Sequence, residues 1–283
     1  MNVTPADDPR ALYLDLMKKV LTNWIYGETE CRPLRLRGLR GRLRRAAVAA
    51  IAGRRAFLVR PRPFDPGARA EGRDWPPSAH TMIGLRRLDN LQRCVEEVLR
   101  EDVPGDLIEA GVWRGGAAVF MRAILEAHGA RERRVWVADS FRGLPPPDPR
   151  FPADRGSKFH LRASLRISLE EVRANFQRYG LLDDQVRFLE GWFKDTLPAA
   201  PIEKLAVARL DGDLYESTLT SLQCLYPKLS PGGFLIVDDY GAIPACRQAV
   251  ADFRREHGIT EEIQPIDWTG AFWKRSSGEV RNK

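Results

Sequence analysis

Between residues 107 and 238 the chain alternates short apolar runs with longer segments of helical periodicity. Parallel strands joined by crossover helices produce this alternation, because such strands are buried on both faces while each helix buries one stripe. The predicted strands are Leu107–Val112, Val135–Asp139, Val186–Glu190, Leu205–Asp211 and Phe234–Asp238, and the predicted helices are Gly116–His128, Leu169–Tyr179, Ser217–Leu229 and Pro244–His257. Two last runs, Glu262–Ile266 and Ala271–Lys274, are expected to pair antiparallel at one edge. The sequence therefore predicts a doubly wound α/β fold with a mostly parallel, seven-stranded sheet.

A mostly helical segment precedes this alternation. Apolar residues recur at steps of three and four over Ala11–Tyr26 and from Leu36 to Ile51, which is typical of amphipathic helices. Residues 61–77 are rich in Pro, Gly and charge and predict a loop, after which a helical stripe runs from Leu85 to Leu99. We therefore predict a helical extension or cap over residues 1–77 and the main domain over residues 78–283.

Positive charge is concentrated in one part of the chain. There are 45 Lys and Arg against 38 Asp and Glu, a net charge of +7 that would suit a nucleic-acid-binding protein. Eleven of the arginines, and no carboxylate, lie between Cys31 and Phe64, which leaves 34 basic against 38 acidic residues elsewhere. Because no aromatic platform is interleaved with these arginines, we predict no nucleic-acid or membrane partner. A solvated helix face, a subunit contact or an anionic part of a substrate would account for the segment.

The cysteines and the amino terminus bear on location. Cys31, Cys94, Cys224 and Cys246 are too widely spaced for a C-x-x-C motif, which favours reduced thiols in a cytoplasmic protein. The first residues lack the pattern of a signal peptide, and the longest apolar run, Ala46–Ala52, is far below the roughly 20 residues of a membrane-spanning helix. We therefore expect a soluble, cytoplasmic protein.

Glycines and a carboxylate follow the first two predicted strands, at the edge where open α/β sheets bind ligands. The first strand runs into Glu109-Ala-Gly111-Val-Trp113-Arg-Gly115-Gly116, and the second ends in Asp139-Ser140-Phe141. The glycine spacing is not G-x-G-x-x-G and no phosphate loop of the Walker type occurs, which disfavours dinucleotide and ATP binding. Asp139 is placed to bind the two hydroxyls of a ribose. A helix N-cap or a solvated loop charge is the alternative for this residue.

Four more carboxylates follow the last two parallel strands. Asp211 and Asp213 come after one strand, and Asp238 and Asp239 after the next. Crowded carboxylates repel each other and must be protonated, solvated or neutralised by a cation. No cluster of His and Cys accompanies them, so Mg²⁺ is favoured over zinc.

Five stretches of the sequence resemble, in order, the macrocin O-methyltransferase family. They are the turn after the first strand, Asp139-Ser-Phe-Arg-Gly-Leu-Pro, Glu190-Gly-Trp-Phe-Lys-Asp-Thr-Leu-Pro, Asp211-Gly-Asp-Leu-Tyr-Glu-Ser-Thr and Gly232-Gly-Phe-Leu-Ile-Val-Asp-Asp-Tyr-Gly. The resemblance covers about residues 11–273. It implies the Rossmann-like fold of S-adenosylmethionine-dependent methyltransferases, an N-terminal helical addition and the use of Mg²⁺. Members of the family are sugar O-methyltransferases of macrolide and aminocoumarin antibiotic pathways.

The same resemblance implies a role for individual residues. Those expected around the cofactor are Glu109, Gly111 and Trp113 at its methionine half, Asp139 at the ribose with Ser140 and Arg142 beside it, Ser168, Gly191, Trp192 and Phe193 near the adenine, and Thr81 and Met82 closing over it. Asp211, Asp238 and Asp239 are expected to bind Mg²⁺, and Asp213 is expected to be the general base. The sequence leaves open whether Asp211 and Asp213 exchange roles as the base.

These residues predict a methyltransferase that acts on a sugar hydroxyl of a glycosylated secondary metabolite, with a small-molecule glycoside as its partner. We expect the N-terminal helices to cap the acceptor pocket and to take part in a homodimer. One alternative is metal-dependent methylation of a catechol-like phenol, whose neighbouring oxygens would bind the same ion. A cofactor-binding protein without activity and a nucleic-acid methyltransferase are the others.

Overall fold

The computed structural model describes residues 8–34, 38–52 and 58–276. Over these ranges the helices are α1 (Pro9–Leu21), α2 (Gly38–Ala52), α3 (Pro66–Ala70), α4 (Leu85–Arg100), α5 (Gly116–Ala127), α6 (Leu169–Arg178), α7 (Phe193–Thr196), α8 (Tyr215–Leu225) and α9 (Pro244–Glu256). The strands are β1 (Cys31–Pro33), β2 (Val59–Pro61), β3 (Asp106–Ala110), β4 (Val135–Asp139), β5 (Val186–Glu190), β6 (Leu205–Leu210), β7 (Leu229–Val237), β8 (Gln264–Pro265) and β9 (Ala271–Lys274).

In the part of the chain that the structure describes, seven strands form one sheet in the order β5-β4-β3-β6-β7-β9-β8. Strands β3 to β7 are parallel, and β9 pairs antiparallel with both β7 and β8. The chain winds outward from β3 through β4 to β5, then returns to β6 and continues the other way. The carboxyl ends of β3 and β6 therefore form the switch point at which such sheets bind ligands. The predicted doubly wound, mostly parallel, seven-stranded sheet is confirmed.

Most element boundaries lie within a few residues of the predicted ones, and β4 and β5 match them at both ends. Helix α8 differs, because it runs from Tyr215 to Leu225 where Ser217–Leu229 was predicted. Pro227 has no N–H to continue the helix, and Leu229 already belongs to β7. The short helix α3 lies inside the predicted loop 61–77, and the pairing of β1 with β2 was not predicted.

Two apolar layers cover the faces of the large sheet. One contains Leu14 of α1 together with Phe120 and Phe176, and the other contains Phe253 and Trp273. Helix α1 packs on α4 and α5, so the first part of the predicted extension shares the main core. Among the described residues, no helix is long and apolar enough to cross a bilayer.

The arginine-rich segment contains β1, α2 and β2, while its Arg35, Arg37, Arg54 and Arg55 lie outside the described residues. Arg62 is buried and forms ion pairs with Glu30 and Asp74. Arg69 of α3 also pairs with both carboxylates, and it donates to the carbonyl groups of Thr22 and Asn23 after α1. This buried network ties the end of α1 to the segment that precedes α4.

Candidate functional site

A cavity of about 460 Å³ opens at the carboxyl ends of β3, β4 and β6. The predicted site residues that line it are Met82, Gly111, Trp113, Asp139, Ser140, Trp192, Phe193, Asp211 and Asp213. The rest of its wall comes from Gly143–Pro149, Leu165, Lys194, Gly212, Glu216, Ser217 and Thr220. One cavity therefore joins the glycine-rich turn after β3 to the carboxylates after β6.

Gly111 allows the ends of β3 and β6 to meet. Its φ is +91°, and a Cβ atom built on it would lie 1.8 Å from the carbonyl oxygen of Asp211. The Gly111 N–H donates to the carbonyl of Ala138, and the Asp211 N–H donates to that of Ala110. Glycine is needed here because any side chain would separate the turn after β3 from the carboxylates after β6.

Asp139 holds the turn after β3 through its own carboxylate. Its two oxygens accept hydrogen bonds from the N–H groups of Val112 at 2.9 Å and Phe141 at 2.8 Å. Burial raises the pKa of Asp139, and these backbone hydrogen bonds oppose the shift. The oxygen that accepts from Phe141 also has the Ser140 hydroxyl at 3.4 Å, while the other has a second lone pair that can accept a hydroxyl from a ligand in the cavity.

Asp211, Asp213 and Asp239 form a compact group after β6 and β7. One carboxylate oxygen from each lies within 4.8 Å of the others, and Asp239 also accepts the N–H of Asp213. Burial raises the pKa of all three; for Asp213, with the charges of Asp211 and Asp238 adding to burial, it rises to about 8. A divalent cation with oxygen ligands would remove this repulsion, so the donor set fits such an ion.

Asp238 is held differently, because two buried guanidinium groups contact it. Arg87 of α4 donates to one of its oxygens at 2.5 Å, and Arg209 of β6 donates to the other. Although burial opposes the shift, these two cations hold the pKa of Asp238 below its usual value. Arg209 also contacts Glu109 at 2.5 Å and Asp211 at 3.0 Å, so one side chain joins three carboxylates.

The family model described as "Macrocin-O-methyltransferase (TylF)" matches residues 10–275 of this chain. The chain belongs to this family of O-methyltransferases. The resemblance seen in the sequence is thereby confirmed, and the protein is an O-methyltransferase.

The chain is similar to enzymes with named substrates. It is 55% identical over 278 residues, 98% of this chain and 97% of the relative, to the 8-demethyl-8-(2,3-dimethoxy-alpha-L-rhamnosyl)-tetracenomycin-C 4'-O-methyltransferase of Streptomyces olivaceus. It is 50% identical to the mycinamicin III 3''-O-methyltransferase of Micromonospora griseorubida, over 94% of this chain and 97% of the relative. Among solved structures, the O-methyltransferase NovP aligns with a TM-score of 0.82 at 48% identity, covering 94% of this chain and 99% of NovP.

The remaining predicted residues of this methyltransferase do not line the cavity in the described part of the chain. They are Thr81, Glu109, Arg142, Ser168, Gly191, Asp238 and Asp239. Ser168 caps α6 by accepting the N–H of Glu171, and the buried carboxylate of Glu109 faces Arg209. Thr81 accepts the N–H of Ile83. Their predicted contacts with cofactor or metal stay predictions. Both oxygens of Asp238 already accept hydrogen bonds from guanidinium groups. The three carboxylates that lie close together are those of Asp211, Asp213 and Asp239, without Asp238.

Sequence reasoning missed the arginines beneath the carboxylates. Arg209 lies in the apolar run Leu-Ala-Val-Ala-Arg-Leu of β6 and is 2% exposed. An arginine inside a buried strand must be paired with carboxylates, so its presence two residues before Asp211 was a usable signal. Arg87 gave no such signal, since it lies on a helix 151 residues from Asp238.

Proposed function

We propose that this O-methyltransferase moves the methyl group of S-adenosylmethionine to a sugar hydroxyl of a glycosylated natural product. In this proposal Mg²⁺ is held at the compact group of aspartates formed by Asp211, Asp213 and Asp239. The observation that carries the proposal is the shared cavity, which joins Asp139 and the turn after β3 to Asp211 and Asp213. The names of the relatives support the acceptor class. Besides the rhamnosyl and mycinamicin enzymes, they include the demethyldecarbamoylnovobiocin O-methyltransferase of Streptomyces niveus, 50% identical over 268 residues.

Methyl transfer from a sulfonium is an in-line displacement, so the protein contributes mainly by aligning nucleophile, carbon and sulfur. Asp139 accepts the ribose hydroxyls, while Trp192 and Phe193 pack beside the adenine. The acceptor hydroxyl is a weak nucleophile, and Asp213 takes its proton. A bound divalent cation would favour the alkoxide form of a hydroxyl that coordinates it.

Asp211 and Asp239 are the proposed ligands of that cation. Their oxygen atoms lie in one group with those of Asp213, and burial raises the pKa of both, which a cation would reverse. Asp238 can join them only through the lone pairs that Arg87 and Arg209 leave free. Asp213 is next to the ion in this arrangement and acts as the base.

Calorimetric titration with S-adenosylhomocysteine, followed by Mg²⁺ before and after EDTA treatment, tests the cofactor and the metal. We expect micromolar binding of the nucleoside and saturable binding of Mg²⁺. Methyl transfer is then assayed on a panel of glycosides and a panel of catechols. Activity on catechols alone would overturn the sugar acceptor, and absence of nucleoside binding would overturn the cofactor.

Asp139→Asn should weaken S-adenosylhomocysteine binding by about 10- to 150-fold, because the lost hydrogen bonds to a charged group contribute on the order of 1.5–3 kcal/mol. The side-chain NH₂ group of the introduced asparagine would also face the backbone N–H of either Val112 or Phe141, where a hydrogen-bond acceptor is needed. Calorimetry on Asp139→Asn and on the control Asp102→Asn measures the effect. Asp102 has a fully exposed side chain at the amino-terminal side of β3, so its variant should bind as the wild type does. Equal affinity of both variants would exclude Asp139 from the ribose site.

We also propose a homodimer in the cytoplasm. The outer face of α1 carries Leu12, Leu16 and Val20, which are exposed although they are spaced as one apolar stripe. All four cysteines are free thiols, as expected in a reducing compartment. If the stripe lies in the dimer interface, Leu16→Glu should raise the dimer dissociation constant at least about tenfold in sedimentation equilibrium. An unchanged dimer, or a wild-type monomer at micromolar concentration, would overturn this part.

A further inference from the structure

Asp154 lies in the segment between β4 and α6, and its carboxylate caps the start of α8. It is 3% exposed and ends the short 3₁₀ turn Pro152–Asp154 between β4 and α6. Its two carboxylate oxygens accept the N–H groups of Tyr215 at 2.7 Å and Glu216 at 3.1 Å, the first two residues of α8. A distant segment thus caps α8 with a full negative charge, which the positive end of the helix stabilises.

Among the described residues, no side chain next to α8 in the sequence caps it in place of Asp154. Its N-cap residue is Leu214, whose side chain cannot accept a hydrogen bond. The turn before it is tight, because the Leu214 N–H donates to the Gly212 carbonyl at 2.6 Å and Asp213 has a φ of +57°. The position of Asp213 therefore depends on the end of β6 on one side and on the start of α8 on the other.

The segment that contains Asp154 begins as a wall of the cavity. Residues Gly143–Pro149 line the cavity, and the chain reaches Asp154 only five residues after Pro149. The ring of Phe151 packs on that of Tyr215 with centroids 5.8 Å apart, and the Tyr215 hydroxyl donates to Asp252 of α9. The segment is thus attached to the first turn of α8 at two points.

We propose that Asp154 is a positioning residue that joins the cofactor side of the cavity to the carboxylate side. Through one carboxylate it holds the wall at Gly143–Pro149 over the cofactor and sets the start of α8 that follows Asp213. The inference rests on the proposed function, since it assigns the two sides of the cavity to cofactor and acceptor chemistry.

Asp154→Ala and Asp154→Asn test the inference, together with the control Asp106→Ala. Asp106 also accepts two hydrogen bonds, from the N–H of Arg134 and the indole of Trp136, but it lies at the amino end of β3. We expect Asp154→Ala to weaken S-adenosylhomocysteine binding about tenfold and to lower kcat at saturating substrates, because loss of the cap moves Asp213. Asp154→Asn keeps one acceptor and should recover part of the affinity. The control should lose thermal stability with unchanged affinity.

Trypsin cleavage after Arg150 and Arg155 gives a readout that does not depend on activity. Without any ligand, Asp154→Ala should be cut at these sites at least about fivefold faster than Asp106→Ala. Equal cleavage of the two variants, or wild-type affinity and kcat in Asp154→Ala, would overturn the inference. A different outcome is that the wild-type protein binds no S-adenosylhomocysteine while Asp154→Ala is still cut faster than the control. That result would overturn the proposed function, and the role of Asp154 would then be only to hold its own segment against α8.

Discussion

Asp213→Asn should lower kcat by about 10²–10⁴-fold, the range that a positioned general base contributes. The amide keeps the shape of the side chain and cannot accept the proton of the acceptor hydroxyl. The substituted carboxylate is near Asp211 and Asp239, and the change leaves Asp139 and Trp192, the residues proposed to hold the cofactor, as they are. S-adenosylhomocysteine affinity should therefore stay within about twofold of the wild type, since the base acts on the acceptor and not on the cofactor.

The pH profile gives a second test of the same role. Burial and the charges of Asp211 and Asp238 raise the pKa of Asp213 to about 8. A base is active only when deprotonated, so kcat should rise as pH increases through this pKa and level off above it. A nearby cation lowers the pKa of a carboxyl, so the rising limb should move to lower pH at higher Mg²⁺. In Asp213→Asn this limb should disappear.

Asp184→Asn is the control, because Asp184 is exposed and lies between α6 and β5. Its kcat should equal that of the wild type. Full activity of Asp213→Asn would show that Asp213 is not the base. If Asp211→Asn instead lost kcat while keeping its affinity for Mg²⁺, the base would be Asp211.

Arg209→Met should lower the free energy of unfolding by about 3–5 kcal/mol, the cost of breaking a buried ion pair by removing one partner. The guanidinium contacts Glu109, Asp211 and Asp238, and the buried Glu109 and Asp238 cannot recover solvent without disrupting the ends of β3 and β7, whereas Asp211 faces the cavity. Urea denaturation at pH 7 measures the loss. The deficit should shrink as the pH falls, because protonation removes the unpaired negative charges.

Two further variants show whether charge or shape causes the loss. Arg209→Lys keeps the charge, but one ammonium group cannot contact three carboxylates as the guanidinium does, so we expect an intermediate loss. Arg187→Met is the matched control on β5, since Arg187 is half-buried and forms no ion pair within the described residues. Its free energy of unfolding should change by less than about 1 kcal/mol. A similarly small change in Arg209→Met would mean that the carboxylates do not need this cation.

The sequence predicted those features that depend on residues close together in the chain, such as the ends of strands. Strands β4 and β5 were predicted at their observed ends, because each is a short run of strand length with apolar residues between turn residues, although only β4 is buried along most of its length. The common edge of the carboxylates also followed from the sequence, since parallel strands with crossover helices have their carboxyl ends on the same side. Residues Asp139, Asp211 and Asp213 accordingly line one cavity in the structure.

Only the tertiary structure decided how each charged group is paired. Asp238 and Asp239 are adjacent in sequence, yet Asp238 contacts Arg87 and Arg209 while Asp239 lies with Asp211 and Asp213. The capping of α8 by Asp154 likewise joins residues 61 and 62 positions apart. The amino-acid pattern determined the sheet and the edge where the carboxylates meet, because buried positions repeat every few residues along a strand or helix. It did not determine which cation or N–H group each carboxylate contacts. Such contacts join residues far apart in the sequence, depend on how helices and connecting segments pack, and leave no periodic pattern in the sequence.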